Sequence, residues 1–213
     1  MGELEIMIRR TVKSGRGEAE QLDGNQLRTR ETRALLLRAA ERIFVRDGYE
    51  KADLNEIAAA AGRTKGAIYA HFKSKEELFL ALFEQRTRCG AARFEGMLAG
   101  SRNLKQNRMI LRDMVLGILN DKAWLILLLE FKLYAVRNPK SIKRLRTIYK
   151  STYSPDSTGY SALFGQDTER MSALVLLLPI LSAVTVEKQF APDLLDDTVL
   201  KDAVSRIFSA LVG

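Results

Sequence analysis

The sequence predicts an all-α protein with a three-helix helix-turn-helix unit at its N-terminus and a larger helical region after it. Between residues 31 and 48, apolar residues recur at the spacing of one helix face. Residues 53–78 contain short helical patterns joined by a glycine turn, as in a helix-turn-helix. From residue 104 onward the helical period continues, and no segment alternates convincingly as a strand would. With 213 residues, 46% of them hydrophobic, the chain can bury a substantial core.

The first helix is predicted to begin near Glu31 and to end at Asp47-Gly48. Its apolar stripe consists of Leu36, Ala40, Ile43 and Phe44. Thr32 or an adjacent residue can cap its start, and Gly48 suits a left-handed position at its end. Residues 1–27 are polar and lack this periodicity, so we expect a flexible arm that is solvated rather than laid along a DNA groove.

The second and third helices are predicted on either side of a tight turn. Asp53 and Glu56 have the spacing of a capping box at the start of the second helix, and Gly62 ends it. The third helix is predicted from Lys65 to Phe72. Small residues at its start and hydrogen-bonding rings near its end suit a helix that approaches the bases closely and anchors to phosphates.

A second capping box, Ser74 with Glu77, opens a long fourth helix that we expect to run to about Leu98. Pro179 lies inside a later helix and should kink it. The five helices that follow the fourth are predicted over residues 104–120, 122–137, 139–152, 168–189 and 197–212.

Composition argues against several classes of function. Cys89 is the only cysteine and His71 the only histidine, so we expect no intramolecular disulfide, no four-ligand Cys/His zinc site and no cofactor. An enzyme would need a paired nucleophile and base, two placed carboxylates, a metal set or a phosphate loop, and the sequence shows none of them. The longest apolar runs are too short to cross a bilayer and no secretory signal is visible, so a cytoplasmic protein is expected.

The formal net charge is +8, which favours an anionic partner such as nucleic acid. The positive excess does not coincide with the helix-turn-helix. Residues 101–150 hold 12 Lys/Arg against 3 Asp/Glu, whereas residues 24–88 hold 13 against 9. The residue pattern, and not the charge, therefore points to residues 53–78 as the DNA-binding element.

Residues 32–82 resemble the TetR family of bacterial one-component transcriptional regulators. The resemblance is carried by TRALLLRAAERIF, Gly48-Tyr49, NEIAAAAG, TKGAIYAHF and KSKEEL, which form a long and ordered motif. TKGAIYAHF is similar to the recognition segment of the subgroup that represses multidrug efflux pumps. The resemblance implies a DNA-binding domain over residues 28–77 and a helical ligand-binding and dimerisation domain over residues 78–213.

The resemblance and the chemistry of the side chains together predict the DNA contacts. Lys65 should face the major groove, where it would read a guanine edge or bind phosphate. Thr64 can cap the third helix or donate to phosphate, and Tyr69 and His71 resemble the family's phosphate-binding rings. The whole predicted set is Thr32, Arg63, Thr64, Lys65, Gly66, Ala67, Tyr69, His71, Lys73 and Lys75.

The sequence departs from the family pattern at Arg63, at the pair Ala52-Asp53 and in residues 1–27, which form a longer arm than is usual. Arg63 stands where a small apolar residue is usual, and it either adds a DNA contact or projects into solvent. Ala52-Asp53 replaces a pair that is usually rich in Thr and Ser. Asp53 can still cap a helix, but it adds a charge that phosphates repel.

The body is expected to hold a pliable pocket for a small hydrophobic or amphipathic effector, because it combines methionines with an apolar and aromatic face. Ordinary core packing is the simpler interpretation of each side chain. The charged helix over residues 139–152 is expected to be a solvated face, with attraction of an anionic ligand such as an acyl-CoA as the alternative. The candidate pocket residues are Met97, Met114, Trp124, Leu128, Phe131, Tyr134 and Met171.

The last two predicted helices should form a dimer contact. Residues 171–186 are apolar almost all round, and residues 197–212 carry an apolar stripe, so two helices from each of two chains would make a four-helix bundle. We therefore predict a ligand-responsive repressor that binds a palindromic operator as a homodimer. A transcriptional activator, or a DNA-binding protein without a small-molecule ligand, is the alternative.

Overall fold

The computed structural model describes residues 24–152 and 167–212, and over these residues the chain forms helices and no strand, which confirms the predicted all-α class. The predicted spans of the last five helices agree with the structure to within two residues at every end. Most of the predicted arm, residues 1–23, lies outside the described residues. The helices are α1 (Gly24–Lys51), α2 (Leu54–Ala60), α3 (Lys65–His71), α4 (Lys75–Ala99), α5 (Leu104–Leu119), α6 (Lys122–Val136), α7 (Pro139–Thr152), α8 (Thr168–Glu187) and α9 (Asp197–Val212).

Helix α1 begins at Gly24, well before the predicted start at Glu31. Thr32 therefore lies inside the helix and is not its cap, which corrects the sequence prediction. The early turns escape detection because they are polar and carry no apolar stripe. At the other end, the helix is interrupted at Gly48, whose φ of 80° confirms that this position needs glycine. A Cβ on Gly48 would also lie 2.8 Å from Glu130 Oε2 of α6, but that carboxylate ends a flexible side chain that can move, so the backbone conformation is what requires glycine.

Asp53 caps α2 as the sequence predicts. Its Oδ1 accepts hydrogen bonds from the backbone N–H groups of Asn55 at 2.6 Å and Glu56 at 3.1 Å. The N–H groups of Glu56 and Asn55 hold the pKa of the Asp53 carboxyl below its usual range. The second half of the predicted capping box is not formed, because the Glu56 carboxylate instead accepts from Arg46 Nη2 at 2.6 Å.

Ser74 caps α4, with its Oγ accepting from the N–H of Glu77 at 3.1 Å. The Glu77 carboxylate reaches back to the N–H of Lys73 at 2.8 Å, one residue before the cap. Both residues of the predicted box therefore satisfy N–H groups at the start of α4, which would otherwise lack partners.

The first hydrophobic cluster joins the N-terminal helices to the body. It contains buried residues of α1, α2, α3 and the first part of α4, together with buried residues of α6 and α7. Phe79 of α4 stacks on Phe131 of α6 with 4.0 Å between ring centroids. Tyr49, at the end of α1, meets the Phe131 ring edge-on at 4.9 Å. The helix-turn-helix unit and α6 therefore share one core.

The second hydrophobic cluster lies among the end of α4 and helices α5, α8 and α9. Helix α4 contributes Phe94 to this cluster and Leu78–Phe83 to the first, so it crosses from the N-terminal unit into the body, as expected. Pro179 lies inside α8, which continues to Glu187. Within the described ranges, no helix has the length and apolar character needed to cross a membrane.

Candidate nucleic-acid interface

Helix α3 is seated on α1 and α2 by its apolar side. Ile68 and Phe72 are 0% and 2% exposed, as expected for core residues. Arg33 of α1 lies over the Phe72 ring, with 5.1 Å between Cζ and the ring centroid. No local sequence pattern indicates this cation–π contact. We call α1, α2 and α3 the reader, because this packing fixes which side of α3 faces outward.

Gly62 sets the turn between α2 and α3. Its φ is 64°, in the left-handed region that favours glycine. The N–H of Gly62 donates to Ala59 O and the N–H of Arg63 donates to Ala58 O, both at 2.9 Å. These two bonds form a Schellman motif, which confirms the predicted stop of α2 at Gly62. The motif also fixes the direction in which the chain enters α3.

The outward side of α3 presents Lys65, Gly66, Tyr69 and Ala70, all of them exposed, with Ala67 half-buried beside them. A Cβ on Gly66 would meet only Thr64 Oγ1 within 4 Å, at 3.7 Å, which is an ordinary contact. Gly66 is also not among the glycines with positive φ. Neither packing nor backbone therefore requires glycine here, although glycine inside a helix costs about 1 kcal/mol relative to alanine. Close approach of an external partner to this side of α3 would explain why the chain has glycine at position 66.

Thr64 occupies the N-cap position of α3, but its side chain makes no capping hydrogen bond, so the capping role suggested by the sequence is wrong. Arg63 folds back onto the reader. Its Nη1 donates to Gly62 O at 3.0 Å and its Nε donates to Thr32 Oγ1 at 3.4 Å. Arg63 and Thr32, both predicted to contact DNA, therefore lie together where α1 passes the start of α3.

His71, the last residue of α3, is half-buried, and its ring centroid lies 6.2 Å from that of Phe72. Burial, with a smaller contribution from the positive charge of Arg33, lowers the pKa of His71 from its ordinary value. The imidazole is therefore neutral at pH 7. A neutral imidazole can donate one hydrogen bond to a phosphate oxygen without adding a charge.

Lys75 has partners within the chain. Its Nζ donates to the backbone carbonyls of Glu50 at 2.7 Å and Ala52 at 3.3 Å, and it lies 5.2 Å from the centroid of the Tyr49 ring. The side chain thus ties the start of α4 to the end of α1, a role that the sequence does not reveal. Its contact with phosphate stays a prediction, as does that of Lys73, which is exposed nearby.

The predicted effector residues are divided between the two clusters. Trp124, Leu128 and Phe131 are buried in the first cluster and Tyr134 packs against it. Met97 and Met114 pack against the second cluster, and the side chain of Met171 lies outside the described part of the structure. The six described residues belong to two hydrophobic clusters, and their shared role as a pocket stays a prediction. A cavity of about 340 Å³ lies between α1 and α2, lined by Leu35, Arg38, Glu41, Arg42, Ala60 and Ala61.

Comparison with known proteins finds sequence similarity over most of the reader and the start of α4. A family model described as "Bacterial regulatory proteins, tetR family" matches residues 36–82. The HTH-type transcriptional activator FasR of Mycolicibacterium smegmatis is 47% identical over 62 residues, which are 29% of this chain and 28% of FasR. The HTH-type transcriptional regulator AcrR of Shigella flexneri is 50% identical over 54 residues, 25% of each chain. The HTH-type transcriptional repressor BepR of Brucella suis is 44% identical over 64 residues, 30% of this chain and 28% of BepR. The matched segment thus spans little more than a quarter of the length of these relatives.

Solved structures resemble the chain over most of its length. The fatty acid degradation regulator FadR from Bacillus halodurans aligns with a TM-score of 0.61 and 20% identity, over 85% of this chain and 95% of that one. The transcriptional regulator FadR from Bacillus subtilis, solved in complex with stearoyl-CoA, aligns with a TM-score of 0.55 and 18% identity, over 84% and 97%. At these identities the likeness concerns the fold alone, an N-terminal helix-turn-helix followed by a helical domain.

Proposed function

We propose that this chain, which belongs to the TetR family of bacterial transcriptional regulators, is a ligand-responsive repressor. It would bind a palindromic operator as a homodimer. The observation that carries the proposal is the outward side of α3. That side combines a lysine and an exposed tyrosine with Gly66, for which neither packing nor backbone conformation gives a reason. A helix that must lie against base edges in the major groove explains this combination.

In the proposed complex, α3 lies in the major groove. Lys65, Gly66 and Ala67 approach the base edges, while Thr64 and Tyr69 bind phosphates on either side of the groove. His71, Lys73, Lys75, Arg63 and Thr32 surround this contact and complete the proposed interface. Residues 28–77 would then serve as the DNA-binding domain, and residues 78–213 would bind the effector and the second protomer.

The proposed dimer contact is formed by α8 and α9. Leu200 and Val204 of α9 are buried in the second cluster, yet Val199 and Ile207 of the same helix are exposed. Leu176 and Ile180 of α8 are exposed as well. Both helices therefore have apolar residues left over after the protomer has formed its own core, and pairing with a second chain would bury them in a four-helix bundle.

The proposed effector is a small hydrophobic or amphipathic molecule bound in the body. The similar Bacillus subtilis FadR was solved with stearoyl-CoA, a long apolar chain with an anionic head group. Helix α7 of this chain carries Lys140, Lys143, Arg144, Arg146 and Lys150 and no acidic residue, which supports an anionic effector. The effector would bind more tightly to one arrangement of the two readers than to another, and so it would shift the dimer toward that arrangement.

Activation of transcription is a second candidate function, because FasR, one of the relatives, is named an activator while BepR is named a repressor. Repression and activation both need the same DNA-binding reader. They differ in whether the protein blocks or assists transcription at its operator, which reporter expression with and without the protein would separate.

The first experiment is the selection of bound sequences from random duplex DNA by the purified full-length protein at a stated salt concentration. A symmetric dimer should recover a palindrome whose half-sites lie about one helical turn, roughly 34–36 Å, apart or a multiple of it. Tyr69→Ala, at an exposed position, should weaken binding while the protein stays folded and dimeric.

If folded, dimeric protein enriches no DNA sequence, the result would contradict the proposal unless a bound ligand holds the two readers apart. Unfolding, removal of small molecules and refolding before a second selection separates the two cases. If the protein freed of small molecules also recovers no DNA sequence, sequence-specific DNA binding is excluded.

A further inference from the structure

The first two turns of α1, residues 24–31, carry two arginines that the proposed interface does not use. The described side chains in this segment, from Gln26 to Glu31, are all exposed. Neither Arg28 nor Arg30 has a carboxylate within 4.0 Å among the residues that the structure describes. Both guanidinium groups are therefore available to an external partner.

Each of the two arginines is aligned with one α1 residue that makes a contact beside α3. Arg28 precedes Thr32 by four residues and Arg30 precedes Arg33 by three, and helix positions three or four apart share a face. Thr32 accepts from Arg63 at the start of α3, and Arg33 lies over Phe72 just after its end. Arg28 therefore continues the line of Thr32 along α1, and Arg30 continues the line of Arg33. Because the two arginines are two positions, about 200°, apart around the helix, they lie on different sides of α1 beyond the ends of α3.

The direction of α1 points these turns away from the body. Gly48, near the C-terminal end of α1, lies against Glu130 of α6, so the N-terminal end is the one farther from α6. At about 1.5 Å per residue, the eight residues from Gly24 to Glu31 extend the helix by roughly 12 Å beyond Thr32. An arginine on such an extension can reach the DNA strand beside the groove that α3 enters.

We propose that Arg28 and Arg30 bind the sugar–phosphate backbone beside the recognition helix and enlarge the DNA contact of each protomer by about two phosphates. This inference rests on the proposed function. Guanidinium groups suit phosphate because they donate two parallel hydrogen bonds to it. Phosphate contacts carry no direct sequence information, so the two arginines raise affinity without changing base preference.

The test compares two double variants of the full-length chain on the selected operator. Arg28→Ala/Arg30→Ala removes the proposed contacts. Arg88→Ala/Arg93→Ala removes the same charge from exposed positions on α4 and serves as the matched control. Affinity is measured for both variants and the wild-type protein at several salt concentrations, and circular dichroism checks that all three are folded.

We expect the slope of log affinity against log salt to become shallower in Arg28→Ala/Arg30→Ala. The change should be about 0.9 for each phosphate that the protein no longer neutralises, roughly 3 to 4 units for a dimer. The control pair should keep a slope close to that of the wild-type protein. Hydroxyl-radical footprints should shorten at their outer edges in the first variant alone, while base preference stays the same.

Equal slopes for Arg28→Ala/Arg30→Ala and the wild-type protein, or an equal fall in both double variants, would overturn the inference and leave the proposed function intact. A wild-type protein that selects no DNA sequence would instead overturn the proposed function, and this inference with it.

Discussion

The guanidinium of Arg86 lies over the indole ring of Trp124, with 4.2 Å between Cζ and the ring centroid. The same guanidinium pairs with Glu41 of α1 and with Asp121, the N-cap residue of α6. One side chain of α4 therefore connects the reader to the body through three contacts.

Arg86→Ala should lower the free energy of unfolding by roughly 1–2 kcal/mol. The ion pairs are partly exposed and contribute at most about 1 kcal/mol each, and the cation–π contact contributes a similar amount. Urea unfolding measures the change. Arg88→Ala, at an exposed position two residues along the same helix, should stay within about 0.5 kcal/mol of the wild-type protein. Equal losses in the two variants would show that the Arg86 contacts do not stabilise the fold.

Gly66→Ala should make the protein more stable and a weaker DNA binder at once. The added Cβ meets only an ordinary contact inside the chain, so helix propensity should raise the free energy of unfolding by up to about 1 kcal/mol. Against bases, the same methyl group should cost about tenfold or more in affinity, about 1.4 kcal/mol. Gly96→Ala, at an exposed position in α4 with nothing within 4 Å, should stabilise without affecting binding. Unchanged affinity in Gly66→Ala would argue against close approach at this position.

Lys75→Ala should weaken DNA binding for all sequences alike and lower the salt slope by about one unit per protomer, if Lys75 binds phosphate. Because its Nζ also bonds two backbone carbonyls, the variant should lose stability as well, so binding is measured well below its unfolding temperature. Lys65→Ala is the useful comparison, since a base contact should alter sequence preference more than salt slope. An unchanged slope in Lys75→Ala would remove this residue from the phosphate contacts.

The stability of the protein should fall as the pH drops below the ordinary histidine pKa of about 6.5. The pKa of His71 is lower in the folded protein than its ordinary value near 6.5 in the unfolded chain. Protonation therefore favours unfolding. The stability that the neutral His71 contributes is fully present above about pH 6.5, and it is lost as the pH falls through the folded-state pKa.

Urea unfolding at intervals between about pH 8 and pH 5 measures this decline. His71 is the only histidine, so His71→Gln should flatten the curve in this range. If the free energy of unfolding depends on pH in the same way in the variant and the wild-type protein, His71 is not the group responsible for the decline.

The helices of the body and the caps of the reader follow from local sequence signals. Apolar residues at the helical period, bounded by residues such as Asn120-Asp121 and Asn138-Pro139, predict α5 to α9 closely. Gly62 and Asp53 act through backbone groups within a few residues, so their roles are visible in the sequence. The early turns of α1 are missed because exposed polar turns leave no periodic signal.

Local sequence patterns do not predict the contacts between residues that are distant in sequence. Periodicity shows which side of α6 is buried but not what covers it, and the stacking of Phe131 on Phe79 is visible only in the structure. The partners of Lys75 lie 25 and 23 residues before it, and Arg33 meets Phe72 from another helix. Such pairings depend on how the helices cross, which no local pattern specifies.

The shared core of Tyr49, Phe79 and Phe131 has a consequence for modular engineering. A reader cut away from α6 would leave Tyr49, and also Phe79 if the start of α4 were kept with it, facing water and would tend to aggregate. A chimera that joined this reader to another regulator's body would inherit the same difficulty, unless it also carried the α6 side chains that cover Tyr49. The exchangeable module of this protein is therefore larger than its helix-turn-helix and includes at least one helix that follows it much later in the chain.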